Sequence, residues 1–202
     1  MRIGQLPLDE QLAALRAALS RNEVLMDVLD RAARLDLPGW YVTAGAVFQT
    51  VWNTVTDRPA TAGIEDYDLF YFDAADLSWE AEDQVIHRAV PVFDGVPVEI
   101  RNEARVHLWY EAKFGVVCAP HTSTEDAIDS SAATTCCVGI RLEGTRWRVY
   151  APHGLADVFN LVIRPNPVLA PREVYEAKTR RWQQEWPDLT VLPWPTSATP
   201  GS

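Results

Sequence analysis

The chain has 202 residues, with 18 Lys and Arg against 28 Asp and Glu and a formal net charge of −10. That balance excludes a protein that coats nucleic acid, which needs a basic face, and one that docks on an anionic membrane surface. It still admits a small phosphorylated ligand that arrives with divalent metal, because the metal brings its own positive charge.

The hydrophobic fraction of 48% is enough to build a core at this length without disulfides or metal staples. The three cysteines, two of them adjacent and none in a C-x-x-C, make neither a disulfide framework nor a zinc cluster. They point to a reducing compartment, the cytoplasm. The opening stretch Met1–Asp9 lacks the apolar segment of a signal peptide. No apolar run reaches the ~18 residues of a membrane span, so no membrane partner is expected.

Along the chain, residues 9–36 read as a helical hairpin. Leu12, Leu15 and Leu19 share one face; Asn22 offers a cap, and Val24, Leu25, Val28, Leu29, Ala32 and Leu35 follow at three- and four-residue steps. Trp40–Thr43 reads as a short strand, Gly45 opens a helix running to Val55, and residues 56–63 form a polar loop rich in breakers. Asp66–Asp73 is strongly β-forming. Ser78 caps a helix with acids in its first turns, Asp94-Gly95 marks a turn, and Val96–Arg101 is another strand. Glu103–Phe114 reads as a helix, and Thr122-Ser-Thr-Glu125 carries a capping-box pattern. Val138–Tyr150 reads as a hairpin turning at Glu143-Gly144. A last helix starts at Pro171, with Val174, Lys178, Trp182 and Trp186 one turn apart.

This order predicts an α/β (α+β) fold with a small mixed sheet flanked by helices. The expected organisation is a helical arm over 1–38, a core over 39–116, a helix-and-hairpin extension of the same domain over 117–194, and a loose tail over 195–202.

Asp66-Tyr67-Asp68 carries the chemistry. On a strand, residues i and i+2 share a face about 6.5–7 Å apart. Like charges that close repel unless a cation or a proton compensates them. A third acid, Glu99, stands between branched apolar residues on the next strand, about 4.8 Å away if the two strands are neighbours. The plain alternative is a set of solvated acids at strand ends and edges. Gly45, at a strand-to-helix junction, would present free N–H groups to a phosphate; on its own it is equally a turn. Arg101 could reach a phosphate or simply pair with Glu99. Lys178, Arg180 and Arg181, interspersed with Glu173, Glu176 and Glu185, read as a solvated helix face. Cys136 and Cys137 read as buried apolar residues, His121 and His153 as loop residues. Trp182, Trp186 and Trp194 suggest a packing or dimer surface.

Four stretches together resemble the polymerase-β-type nucleotidyltransferase superfamily, and more narrowly a bacterial nucleotidyltransferase family. They are Ala44–Asn53, Ile64–Asp73, Val98–Tyr110 and Ile163–Asn166, and the likeness extends over residues 22–194. The resemblance implies that Asp66, Asp68 and Glu99 are catalytic and hold Mg2+ or Mn2+. Gly45, Ala46, Gln49, Arg101, Asn102 and Arg105 would bind the nucleotide and its phosphates. The reaction implied moves a nucleoside monophosphate from a nucleoside triphosphate to a hydroxyl of a small molecule or a protein, with pyrophosphate leaving; a long nucleic acid is not the expected acceptor. Two departures stand out: Gly45-Ala46 replaces the superfamily's Gly-Ser or Gly-Gly, and residues 47–65 make a long interval before Asp66. They leave open a non-catalytic nucleotide-binding or protein-interaction domain of the same fold.

Overall fold

The computed structural model describes residues 3–195; the expected tail over 195–202 lies outside them apart from Pro195. Five strands form one mixed sheet: β1 (Tyr41–Thr43), β2 (Tyr67–Tyr71), β3 (Val98–Asn102), β4 (Gly139–Glu143) and β5 (Arg146–Tyr150), in the order β3-β2-β1-β4-β5. β2 and β3 run parallel, whereas the β1–β2, β1–β4 and β4–β5 pairs are antiparallel. Helices α1 (Leu8–Leu19), α2 (Glu23–Ala33), α3 (Gly45–Val55) and α4 (Trp79–Phe93) come first. The shorter α5 (Tyr110–Phe114), α6 (Thr124–Asp129) and α7 (Ala156–Phe159) follow, and α8 (Arg172–Glu185) is the last. This is the mixed α/β architecture that the sequence predicts. Among the described residues no helix is long and apolar enough to cross a membrane.

The hairpin α1–α2 buries the leucine stripe its spacing predicts: Leu15, Leu19, Leu25 and Leu29 are all inaccessible to solvent. Asn22 does more than cap. Its Oδ1 accepts from Leu25 N–H at 3.0 Å, while its Nδ2 donates to Thr50 Oγ1 at 2.9 Å and so ties the hairpin to α3. Ser78 caps α4 as expected, accepting from Ala81 N–H at 3.2 Å. The cap of α6 is Ser123, one residue later than the pattern suggests, and it accepts from Asp126 N–H.

Three further differences matter. Glu103–Phe114 is not one helix: a 3₁₀ segment over Glu103–Leu108 breaks at Trp109 before α5 begins. A parallel pair, β6 (Val162–Ile163) with β7 (Thr190–Val191), joins segments that two-residue strands left illegible in the sequence. The C-terminal tryptophans are core, not an open surface. Trp182 and Trp186 pack with Phe48 and Trp52 at centroid separations of 5.2 to 6.0 Å, and Trp186 Nε1 donates to Asn53 Oδ1 at 2.9 Å.

That aromatic layer also pins the long interval before β2. Asn53 Nδ2 donates to the carbonyls of Ala60 and Ala62 at 3.1 and 2.8 Å. Gly63, at φ +71°, lies so close under Trp186 that a Cβ would meet its ring at 2.7 Å. The loop therefore returns the chain to β2 in one defined place.

Candidate active site

β2 alternates as the sequence predicts. Tyr67, Leu69 and Tyr71 are buried in the core, and Asp66, Asp68 and Phe70 face a cavity of about 760 Å³. The parallel register sets Asp68 directly against Glu99. Adjacent strands lie about 4.8 Å apart, so the third acid stands beside the second. Glu99 lines the same cavity.

The charges of these acids are poorly compensated. Burial first, then the neighbouring Asp66 and Glu99, push the Asp68 carboxyl up to about 7, against the opposing charges of Lys178 and Arg101. Asp66 is raised by burial, then by Glu99 and Glu65. Glu99 is held by Arg101, whose Nε and terminal nitrogen donate to one carboxylate oxygen at 2.9 and 2.6 Å. The side chains of that pair are 42–44% exposed, so it contributes about 0–1 kcal/mol and Glu99 can exchange Arg101 for another cation at small cost. Among the described residues, no three His, Cys, Asp or Glu side chains are already drawn together as a metal cage. The donor set nevertheless fits a hard divalent ion: three carboxylates on one face, with raised affinity for protons where no cation neutralises them.

Beside them the chain turns from β1 into α3. The turn carries strain one residue earlier than the sequence suggests: Ala44 takes φ +54° and ψ −136°, a conformation that costs a side-chain-bearing residue about 1–3 kcal/mol. Gly45 has ordinary dihedrals, and its value lies elsewhere. A Cβ there would sit 3.1 Å from Gln49 Nε2, so glycine lets the Gln49 side chain fold back over the turn. Among the described residues, the first amides of α3, at Gly45 and Ala46, have no partner. Two free N–H groups at a helix N-terminus suit an anion.

A nucleotidyltransferase family model matches residues 30–191. The chain belongs to the nucleotidyltransferase family. Its fold is similar to that of a protein whose NMR structure is described as revealing a CCA-adding enzyme head domain. The TM-score is 0.73 and the identity 24%, over 95% of this chain and 100% of that one. No curated protein matches it.

The other sequence-derived candidates of this nucleotidyltransferase divide. Gly45, Gln49, Arg101 and Arg105 line the cavity with the acids; Ala46 and Asn102 do not. Ala46 is inaccessible and belongs to the core, so only its backbone can serve a ligand. Asn102 is a clamp: it accepts from Asp73 N–H at 3.0 Å, donates to Asp73 C=O at 2.8 Å and accepts from Ala104 N–H. Arg105 is buried against Glu82 and donates to Leu77 C=O at 2.9 Å. Its guanidinium is committed to holding α4 against the 3₁₀ segment.

Several cavity residues escape sequence reasoning. Lys178 and Arg181 of α8 line the cavity opposite the acids, rather than forming only a solvated face. Arg181 pairs with Glu65 at 3.0 Å. Their interleaving with glutamates hid them, since a helix face does not say what it packs over. Glu103 is only 5% exposed and also lines the cavity; burial and Asp68 push its carboxyl up to about 8. Residues three apart eclipse on a 3₁₀ segment, so Glu103, Val106 and Trp109 share the cavity side.

Cys118 Sγ and His121 Nε2 do come within 3.9 Å, a pairing the sequence does not show, and His121 Nδ1 is 3.8 Å from Asp126. Burial raises the thiol and lowers the imidazole, so the pair stays neutral and the sulfur is no nucleophile. Cys136 and Cys137 are buried, as expected, with thiols pushed up to about 12. Arg164 pairs with Asp157, and Asn166 is buried against backbone carbonyls, which makes that loop a rigid connection.

Proposed function

We propose that this nucleotidyltransferase moves a nucleoside monophosphate from a nucleoside triphosphate to a hydroxyl of a small molecule or a protein side chain, with pyrophosphate as the leaving group. The observation that carries this reading is the register that sets Asp68 against Glu99, on the same face as Asp66 and beside the open amides of α3. Asp66, Asp68 and Glu99 would hold Mg2+ or Mn2+. The metal, when bound, supplies positive charge where the entering and leaving oxygens build negative charge.

The chain's own residues supply the rest. The amides of Gly45 and Ala46 bind a phosphate oxygen, and Gln49 closes over the turn. Lys178 and Arg181 add charge for the pyrophosphate end. The acceptor oxygen forms its bond to the α-phosphorus as the bond to the pyrophosphate oxygen breaks. A Glu99 carboxylate oxygen takes the hydroxyl proton. The acids outnumber the cations along the cavity, which disfavours a long polyanion as acceptor. Three free, buried cysteines fit a cytoplasmic location. The reading as a non-catalytic domain rests on Ala46 lacking a hydroxyl. Because that side chain is part of the core, a hydroxyl there would not face the cavity.

Thermal shift with ATP, GTP, CTP and UTP, each with and without Mg2+ or Mn2+, tests the reading. A metal-dependent rise in midpoint that Asp66→Asn and Asp68→Asn abolish is expected. No rise with any nucleotide–metal pair would sink it.

A further inference from the structure

The charges that line the cavity do not cancel. Glu82 pairs with Arg105, Glu99 with Arg101 and Glu65 with Arg181. Asp66 and Asp68 remain without an ion pair, opposed by the charges of Lys178 on both, Arg181 on Asp66 and Arg101 on Asp68. Lys113 lies over the rings of Trp109 and Phe114, at 5.5 and 5.3 Å from their centroids. Glu103 is left. It is more than nine-tenths buried, it lines the cavity, and among the described residues no side-chain hydrogen bond or ion pair engages its carboxylate. A buried carboxyl either holds its proton or finds a cation, and a cation that enters favours the ionised form.

The surroundings of Glu103 describe that missing partner. β3 leads into the 3₁₀ segment on the opposite side of β2 from the turn at Gly45, so Glu103 lies away from the phosphate end. Its side of the cavity carries aromatic and apolar groups beside Arg105 and Arg101, each already paired with an acid, and Lys113, already seated over rings. Trp109 shares its face, and Trp79 and Leu108 stand 63% and 55% exposed among the cavity-lining residues. Aromatic faces attract cations and apolar bodies alike. An anion would gain nothing from Glu103 and a neutral ligand would leave it protonated, whereas a cation would draw it into the ionised form and pair with it.

We infer that the acceptor is a small molecule with an aromatic or apolar body that carries an ammonium group besides its reacting hydroxyl, with Glu103 as the counter-ion that selects it. The inference rests on the nucleotidyl-transfer reading for what the acceptor does, but its recognition is measured separately. Glu103 does not touch the reacting atoms; it determines specificity.

The test is calorimetric titration of the whole chain with Mg2+, using three probes that share one body: tyramine, 4-ethylphenol and 4-hydroxyphenylacetate. Tyramine should bind at least about tenfold tighter than 4-ethylphenol, the worth of one modest ion pair, and the acetate most weakly. Glu103→Gln should bring tyramine within about twofold of 4-ethylphenol, while the midpoint rise with Mg2+ and nucleotide persists. Asp66→Asn should lose the nucleotide response yet keep the tyramine preference. Equal binding of tyramine and 4-ethylphenol, no binding of tyramine, or a preference that survives Glu103→Gln would overturn the inference. If Glu103→Gln does not fold, the ranking of the three probes on the unaltered chain decides. Loss of the nucleotide response alone, with the preference intact, would count against the nucleotidyl-transfer reading and not against Glu103.

Discussion

Beside the cavity, Phe48, Trp52, Trp182 and Trp186 pack in tilted and edge-to-face pairs with almost no exposure. On its floor, Asp66, Asp68 and Glu103 have carboxyls raised by burial and by neighbouring acids, and none is in an ion pair. Both regions hold groups without partners, since Trp52 and Trp182 keep buried Nε1–H groups unbonded. The difference is one of scale. An unbonded indole N–H is a dipole whose cost the ring's burial offsets, whereas an unpaired buried carboxyl must hold a proton or find a cation. The aromatic layer is therefore complete as it stands, whereas the acidic floor can change its charge with pH or with what binds there.

Changes on the two sides should have opposite signs. The largest effect belongs to the aromatic layer: Trp52→Ala should lower stability by about 3–5 kcal/mol in urea unfolding, because it empties the centre of a dry cluster. On the floor, Asp66→Asn should reduce pyrophosphate release about 10²–10³-fold while leaving the chain folded by circular dichroism. Asp68→Asn should go further and stabilise the metal-free protein above pH 7, by about 2–4 kcal/mol. The folded carboxyl titrates near 7 and the unfolded one near 3.8, so the folded state holds its proton more tightly. Its contribution is full below about pH 4 and is lost as pH rises through 7. The variant's advantage should accordingly vanish toward pH 4, and denaturation curves at pH 4, 6 and 8 would show it. A smaller effect is expected at the rim, where Lys178→Ala should raise the KM for nucleoside triphosphate about tenfold with stability within about 0.5 kcal/mol. The smallest is at the turn. Ala44→Gly should stabilise by about 1 kcal/mol, because glycine takes φ +54° without strain.

The parts of this contrast were not equally legible in the sequence. The hairpin α1–α2, the caps at Asn22 and Ser78 and the alternation of β2 follow from local rules, because spacing and capping act within a few residues. Asp66, Asp68 and Glu99 were legible for the same reason: a strand's period decides which face an acid takes. Their register was not, since Asp68 opposite Glu99 depends on a parallel pairing across α4. Lys178 and Arg181 look like any charged helix face until α8 is laid over the cavity. Glu103 was hidden by expecting an α-helix where the chain makes a 3₁₀ segment, which rotates a different set of residues inward. Ala46 misled in the other direction, because a motif position suggested a role that its core-facing side chain cannot take.

The placement of α8 has a consequence for how the molecule comes into being. Arg58 with Glu185, Glu65 with Arg181 and Asn53 with Trp186 join positions 116 to 133 residues apart. Contacts that distant in sequence form late and slowly, after loop closure has been overcome. The hairpin α1–α2 and the acids of β2 and β3 emerge from the ribosome well before the helix that roofs them. A nascent chain therefore carries the cavity's carboxylates without Lys178 and Arg181, and the pocket is the last part of the protein to mature. Acquisition of nucleotide binding during refolding should lag behind the recovery of helical signal, with the lag set by the docking of α8.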